Sequence, residues 1–142
     1  MNHKASIESE PFPIFATGHG GRDMSEFLGA LVVHRIDVLI DVRSFPVSRH
    51  FPRFSKQNLM HSLSSVGIYY LHEGAALGGK LAPVGLDEKI GQLAHAVKSG
   101  GRICLMCSEH KNPAQCHRTT VLKPVFAKHG IEVIELTDFH EI

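Results

Sequence analysis

Apolar positions along the chain fall into two alternating patterns. Short runs rich in β-branched residues, Ile14 to Thr17, Val38 to Val42, Ile68 to Leu71, Ile103 to Met106 and Ile131 to Leu136, have the length of strands and are bounded by glycine or polar residues. Between them apolar residues recur at helical spacing: Phe27, Leu28, Leu31 and Val32 within 25–34, Leu59, Leu63 and Val66 within 55–66, Ile90, Leu93, Ala94 and Val97 within 86–97, and Leu122, Val125 and Phe126 within 119–129. Strands that are apolar without interruption are buried on both faces. The pattern therefore predicts an α/β fold, a single three-layer domain with a mostly parallel sheet of about five strands, helices on both faces and right-handed crossovers.

The punctuation agrees with these elements. Asp23 or Ser25 can cap the first helix and Ser55 the second, while Gly67, Gly100-Gly101 and Gly130 fall where helices must stop before strands. Pro124 interrupts the last helical pattern and predicts a kink, or a start nearer Lys123. Residues 1–13 lack periodicity and read as a flexible N-terminal arm, which leaves 14–142 as the domain. The stretch from Gly74 to Leu86 is glycine-rich and reads as a long loop of the kind that lies over a site.

Composition narrows the function classes. With 142 residues, 43% of them apolar, the chain has the size of one ordinary domain, too short for two comfortable ones. Fifteen Lys and Arg stand against 14 Asp and Glu, a net charge of +1, so any binding of polyanions has to be local. No run approaches the roughly 18 apolar residues of a membrane span, and the N-terminus has no signal pattern, so the expectation is a cytoplasmic protein without a membrane partner. Three cysteines, an odd number, point to chemistry or burial rather than a disulfide framework.

In an open parallel sheet, ligands bind beyond the carboxyl ends of the strands. The predicted exits are Thr17-Gly18-His19-Gly20-Gly21-Arg22, Asp41-Val42-Arg43-Ser44, His72-Glu73 and Cys107-Ser108-Glu109-His110, and nearly every one carries an ionisable group. The opposite edge, with Arg35-Ile36-Asp37, Gly67 and Gly100-Gly101-Arg102, has the composition of turns. Of the eleven histidines, His19, His72, His110 and His117 lie at the exit edge.

Two stretches there carry the candidate chemistry. From Cys107 to Thr119 the chain leaves a strand, loops and enters a helix with Arg118 in or near its first turn. A thiol facing helix-terminal N–H groups and an arginine has the lowered pKa that a nucleophilic thiolate needs, and the same helix start suits an anion. This layout looks like that of rhodaneses and cysteine phosphatases, with a longer and less glycine-rich loop between Lys111 and Gln115. The plainer alternative makes Cys107 a small buried residue and Cys116 a pin for the loop, with Cys104 in the core. A further alternative is a zinc or iron site built from Cys107, His110, Cys116 and His117, although this spacing matches no familiar finger and neighbouring Cys116 and His117 rarely reach one ion together.

From Asp41 to Lys56, the cations Arg43, Arg49, Arg53 and Lys56 alternate with Phe45, Phe51 and Phe54, a mixture able to hold phosphates while stacking a base. Pro46 and Pro52 keep it extended, and Asp41 can orient Arg43 or act as a base. The alternative is a solvated loop whose phenylalanines tuck under the sheet.

Taken in order, Thr17-Gly18-His19, Asp41 to Pro46, Phe54 to Leu63, Gly67 to Tyr70, Leu77-Gly78-Gly79, Cys107-Ser108-Glu109 and Cys116-His117-Arg118 resemble the bacterial and archaeal family called domain of unknown function 488, over roughly Ile14 to Leu136. That family often has Ser after the histidine of its first motif, where this chain has Gly20. The resemblance implies the fold and marks His19, Asp41, Arg43, Gly78, Gly79, Glu109, Cys116, His117 and Arg118 as matching positions; it implies no activity.

The leading expectation is a small enzyme, with no cofactor required, acting on an anionic substrate that is phosphorylated, a nucleotide or nucleic-acid-related. Its catalytic candidates are His19, Asp41, Glu109, Cys107 and Cys116, with His19 and Glu109 moving protons and either cysteine acting as nucleophile or redox thiol. Its substrate-binding candidates are Thr17, Gly18, Arg43, Arg49, Arg53, His72, Gly78, Gly79, His117 and Arg118, with Arg43 and Arg118 clamping the anion. Two competitors stand beside it. One is a nucleic-acid-binding module without catalysis that uses residues 43–56. The other is a regulatory domain in which Arg43 pairs with Asp41 and Arg118 with Glu109.

Overall fold

A computed structural model of the chain describes residues 12–78, 85–109 and 116–136. Its five strands are β1 (Phe12–Gly18), β2 (Val38–Asp41), β3 (Tyr69–His72), β4 (Ile103–Cys107) and β5 (Ile131–Glu135). They form one sheet in the order β3-β2-β4-β1-β5, and every pairing is parallel. The helices are α1 (Met24–Val33), α2 (Lys56–Ser64), the single turn α3 (Gly74–Leu77), α4 (Leu86–Lys98) and α5 (Lys123–Ala127), the last preceded without a break by a π-helical turn, Arg118–Leu122.

Two separate cores establish the three layers. On one face α1 and α2 set Phe27, Leu31, Leu59 and Leu63 against Leu39, Cys104 and Met106. On the other, α4 and α5 set Ile90, Leu93, Val97 and Phe126 against Ile14, Ala16, Ile40, Ile103 and Leu105. Alternate residues of β4 thus serve opposite cores, and all five of its residues are buried. Truncating a core residue such as Leu105 to alanine would cost about 2–5 kcal/mol.

Element boundaries shift from expectation for local reasons. β1 starts at Phe12 rather than Ile14, so Phe12 and Pro13 belong to the sheet and not to an arm; residues 1–11 of the expected arm lie outside those described. Phe12, Pro13 and Ile14 pair with β5, whereas the pairing with β4 begins only at Phe15. The missing N–H of Pro13 therefore sits where one neighbour, not two, is present. Asp23 is the residue that caps α1, accepting from the Ser25 N–H. Ser55 occupies the cap position of α2, but its hydroxyl instead accepts from the Ser48 N–H and donates to the Ser48 carbonyl, closing the loop that follows β2. Pro124 lies in the first turn of α5, which starts at Lys123, the second of the two expected outcomes. The π turn ahead of it absorbs the missing donor, and the helix runs on. Of the expected Gly74 to Leu86 loop, residues 74–77 form α3, Leu86 opens α4, and 79–84 lie outside the described residues. No helix among the described residues is long and apolar enough to cross a membrane.

The amino edge consists of turns. Arg35, Gly67, Gly100 and Gly130 all adopt positive φ there. The chemistry-bearing side chains collect at the carboxyl edge.

Candidate active site

β1 leads His19 into the site because the ladder continues beyond its last residue: the His19 N–H donates to the Cys107 carbonyl and the Gly20 N–H to that of Ser108. The His19 ring is buried, stacked on Phe54 with centroids 4.4 Å apart. Its Nδ1 accepts from the Gly21 N–H at 3.1 Å, which places the imidazole proton on Nε2. Burial, and then the charges of Arg43 and Arg53, lower its pKa to about 4 against the opposing pull of Asp41. His19 is therefore a neutral ring with a fixed tautomer. Thr17, also buried, accepts from Arg22 Nη1, and Gly18 closes the β1–β4 ladder opposite Cys107.

β2 ends in a closed polar corner. The Asp41 carboxylate, fully buried, accepts from Arg43 Nε at 2.9 Å, from Arg43 Nη2 at 2.8 Å, from the Arg43 N–H at 3.1 Å and from the Tyr70 hydroxyl at 2.6 Å. Burial and then that bond to Asp41 raise the Tyr70 pKa. Arg43 Nη2 also donates to the Phe54 carbonyl. Its Nη1 is buried with no hydrogen-bond partner among the described residues. His72 reaches back from the end of β3 to the Arg43 carbonyl at 2.6 Å. The next turn packs directly on this corner, and a side chain at Gly78 would collide with the Gly74 carbonyl and the Ser44 hydroxyl. Gly78 thus serves backbone packing, while Gly79 lies outside the described residues.

The third group joins β4 to the π turn. Cys107 and Cys116 face each other with sulfurs 2.8 Å apart. Arg118, fully buried, donates Nη1 to Cys107 Sγ at 2.8 Å and to the Glu109 carbonyl at 2.7 Å, and pairs through Nε and Nη2 with the Glu135 carboxylate at 2.7 and 3.0 Å. The two thiols share a proton. The bond from Cys107 is the largest influence lowering the Cys116 pKa to about 6, and it outweighs burial, with the Arg118 main-chain N–H and guanidinium adding to it. The Cys107 pKa is raised, by that same bond first and by burial second. One thiol of the pair donates to the other, so a single negative charge on the pair is hydrogen-bonded where it sits. Cys104, on the opposite face, is wholly buried, and burial raises its pKa.

Two adjoining cavities open onto these groups. The larger, about 540 Å³, is lined by Arg43, Ser44, Phe45, Cys107, Cys116 and His117 among others. The smaller, about 330 Å³, is lined by His19, Gly20, Gly21, His50 and Phe51 among others. Val47, Ser108 and Glu109 form a wall common to both. Phe45 and Val47 are 59% and 67% exposed, an apolar lip over the larger cavity.

The candidates thus separate into cavity-lining and supporting groups. His19, Arg43, Cys107, Glu109, Cys116 and His117 line a cavity. Asp41, Thr17, Gly18, His72, Gly78 and Arg118 stand behind them. Arg118 was expected to clamp an anion, or to pair with Glu109; its side-chain carboxylate partner is Glu135, which leaves its guanidinium engaged with Glu135 and Cys107. Arg49 is exposed on the loop, and Arg53 folds back, donating to the Gly21 and Arg22 carbonyls and lying over the Phe51 and Phe54 rings. Of the three loop phenylalanines, only Phe54 is buried. For the metal alternative, His117 Nε2 is 2.8 Å from the Leu77 carbonyl and His110 lies outside the described residues. Among the described residues no three His, Cys, Asp or Glu side chains group to hold an ion.

Sequence reasoning missed Glu135, Tyr70 and the stacking role of Phe54. Glu135 is the exit residue of the fifth strand, so carrying the survey of strand exits to the last strand finds it.

Residues 23–84 match the family described as Domain of unknown function DUF488, which bears out the resemblance over that part of the chain. No match was found among curated proteins or among solved structures.

Proposed function

We propose that this protein is a cysteine-dependent enzyme acting on a small anionic substrate at the carboxyl edge of its sheet, with Cys116 as the nucleophile. The observation that carries this reading is the pair of sulfurs 2.8 Å apart in the wall of a cavity of about 540 Å³, with one of them held toward the thiolate. A thiolate is the reactive form of cysteine, and a thiol titrating near 6 is mostly ionised at neutral pH.

The other residues take roles that follow from their bonds. Cys107 donates to the thiolate, and Arg118 contacts the pair through Cys107. Arg43 lines the cavity and keeps one guanidinium nitrogen without a partner among the described residues, which favours an anionic group nearby. His19 offers a hydrogen bond from Nε2 rather than a proton, because its ring is neutral and Nδ1 is engaged. Glu109, in the wall between the two cavities, is the group assigned to proton transfer. The lip formed by Phe45 and Val47 suits an apolar or planar portion of the substrate. Nucleic-acid binding is the weaker reading, because Arg53 is turned inward onto main-chain carbonyls.

Competitive alkylation tests the proposal. At pH 7, Cys116 should react faster than free cysteine, and the anionic reagent iodoacetate should be favoured over iodoacetamide relative to free cysteine. If neither Cys107 nor Cys116 outpaces a free thiol, the nucleophile assignment is wrong.

A further inference from the structure

Cys107 lies closer to Cys116 than supporting a thiolate requires. Its sulfur is 2.8 Å away, and a disulfide bond is about 2.0 Å long, so the two atoms need to close by less than about 1 Å. Both residues line the same cavity, so a small oxidant that reaches one reaches the other. They lie on opposite sides of residues 108–115, one ending β4 and the other two residues ahead of the π turn. Arg118 contacts the pair through Cys107 and is fixed from behind by Glu135.

We infer that Cys107 is a resolving thiol and that Cys107 and Cys116 form a reversible redox site that a hydroperoxide oxidises to an internal disulfide, switching off the nucleophile. The inference rests on the reading of Cys116 as a reactive thiolate and adds its regulation.

In the first step the Cys116 thiolate attacks one oxygen of the hydroperoxide. An S–O bond forms, the O–O bond breaks, and the departing alkoxide or hydroxide takes a proton from solvent. Sulfur loses two electrons to the peroxide and becomes a sulfenic acid. In the second step Cys107 loses its proton and its sulfur attacks that of Cys116; the S–S bond forms, the S–O bond breaks, and hydroxide leaves with the proton as water. The Arg118 Nη1 contact favours the Cys107 thiolate at this moment, when Cys116 no longer bears a charge to oppose it. Cys104 takes no part, buried on the other face of the sheet. A dithiol restores the starting state.

The test uses the full chain with hydrogen peroxide as the oxidant. Peptide mass spectrometry should find the 107–116 disulfide in the monomer, with Cys104 still reduced, and alkylation of Cys116 should disappear and return with dithiothreitol. In Cys107→Ala the same treatment should leave Cys116 as a sulfenic acid, trapped by dimedone. Rapid alkylation of Cys116 together with no 107–116 disulfide after peroxide overturns the redox inference and leaves the nucleophile standing. Slow alkylation with no disulfide removes both. A disulfide that involves Cys104, or that joins two chains, also overturns the inference.

Discussion

Two buried arginines stand at the carboxyl edge of the sheet, each held by a carboxylate, and they are used differently. Arg43 faces Asp41, whose two oxygens accept four hydrogen bonds, from Arg43 and Tyr70, and which is wholly buried. The four bonds use up the acceptor capacity of that carboxylate, so the corner fixes the loop after β2. Arg118 faces Glu135, whose side chain is 38% exposed, and turns its remaining nitrogen to a sulfur. Here the third partner is a group that can lose a proton or electrons at the wall of a cavity. A pair closed by oxygen acceptors positions its neighbours, whereas the same pair closed by a thiol influences chemistry.

The sharpest way to break the first corner is Asp41→Asn. It leaves the buried Arg43 charge without its partner and should lower stability by about 3–5 kcal/mol in urea unfolding. A loss below about 1 kcal/mol would show that the corner is not closed as described. In the second corner, Cys107→Ala removes the donor that holds the thiolate. The midpoint for Cys116 should rise from about 6 toward the ordinary thiol value, slowing alkylation near pH 6.5 by about 10–100-fold while the fold persists. An unchanged midpoint would assign the thiolate to Arg118 alone.

Glu135→Gln separates the two corners further. Because Glu135 is partly exposed, water replaces some of what is lost, and stability should fall by only about 1–2 kcal/mol. The freed positive charge should also lower the Cys116 midpoint, an effect with no parallel at Asp41. A rise in that midpoint would contradict the described role of Arg118. A different kind of effect, on the pH dependence of stability, concerns His19. Its folded pKa of about 4 lies below the unfolded value of 6.5, so within that window the unfolded chain binds the extra proton. Stability should rise as pH increases from about 4 to 6.5 and decline as pH falls through the same range. His19→Asn, which keeps an acceptor for the Gly21 N–H, should flatten that slope in unfolding measured across these pH values.

The fold was legible because its signals are local. β-branched runs mark strands, helical spacing marks helices, and the unbroken apolar run of β4 marks a strand with a core on each face. The site was legible as an edge: Cys107, Arg43 and His19 leave strands, and Cys116 follows where the chain after β4 enters the next helix. What could not be read was pairing. Arg118 and Glu135 are 17 residues apart and Tyr70 and Asp41 are 29 apart, and they meet only because the sheet order brings β5 beside β1 and β3 beside β2. The placement of Pro13 depends on the same order, since its missing donor is tolerated only where β4 has not yet begun to pair. Local grammar fixes elements, whereas strand order decides which ions become partners.

The proposal that Cys116 is a thiolate supported by the Cys107 S–H is tested by the rate of Cys116 alkylation as a function of pH, followed by peptide mass spectrometry. A single rise with a midpoint near 6 is expected. A midpoint at the ordinary thiol value of about 8.5, the same in wild type and in Cys107→Ala, would contradict it.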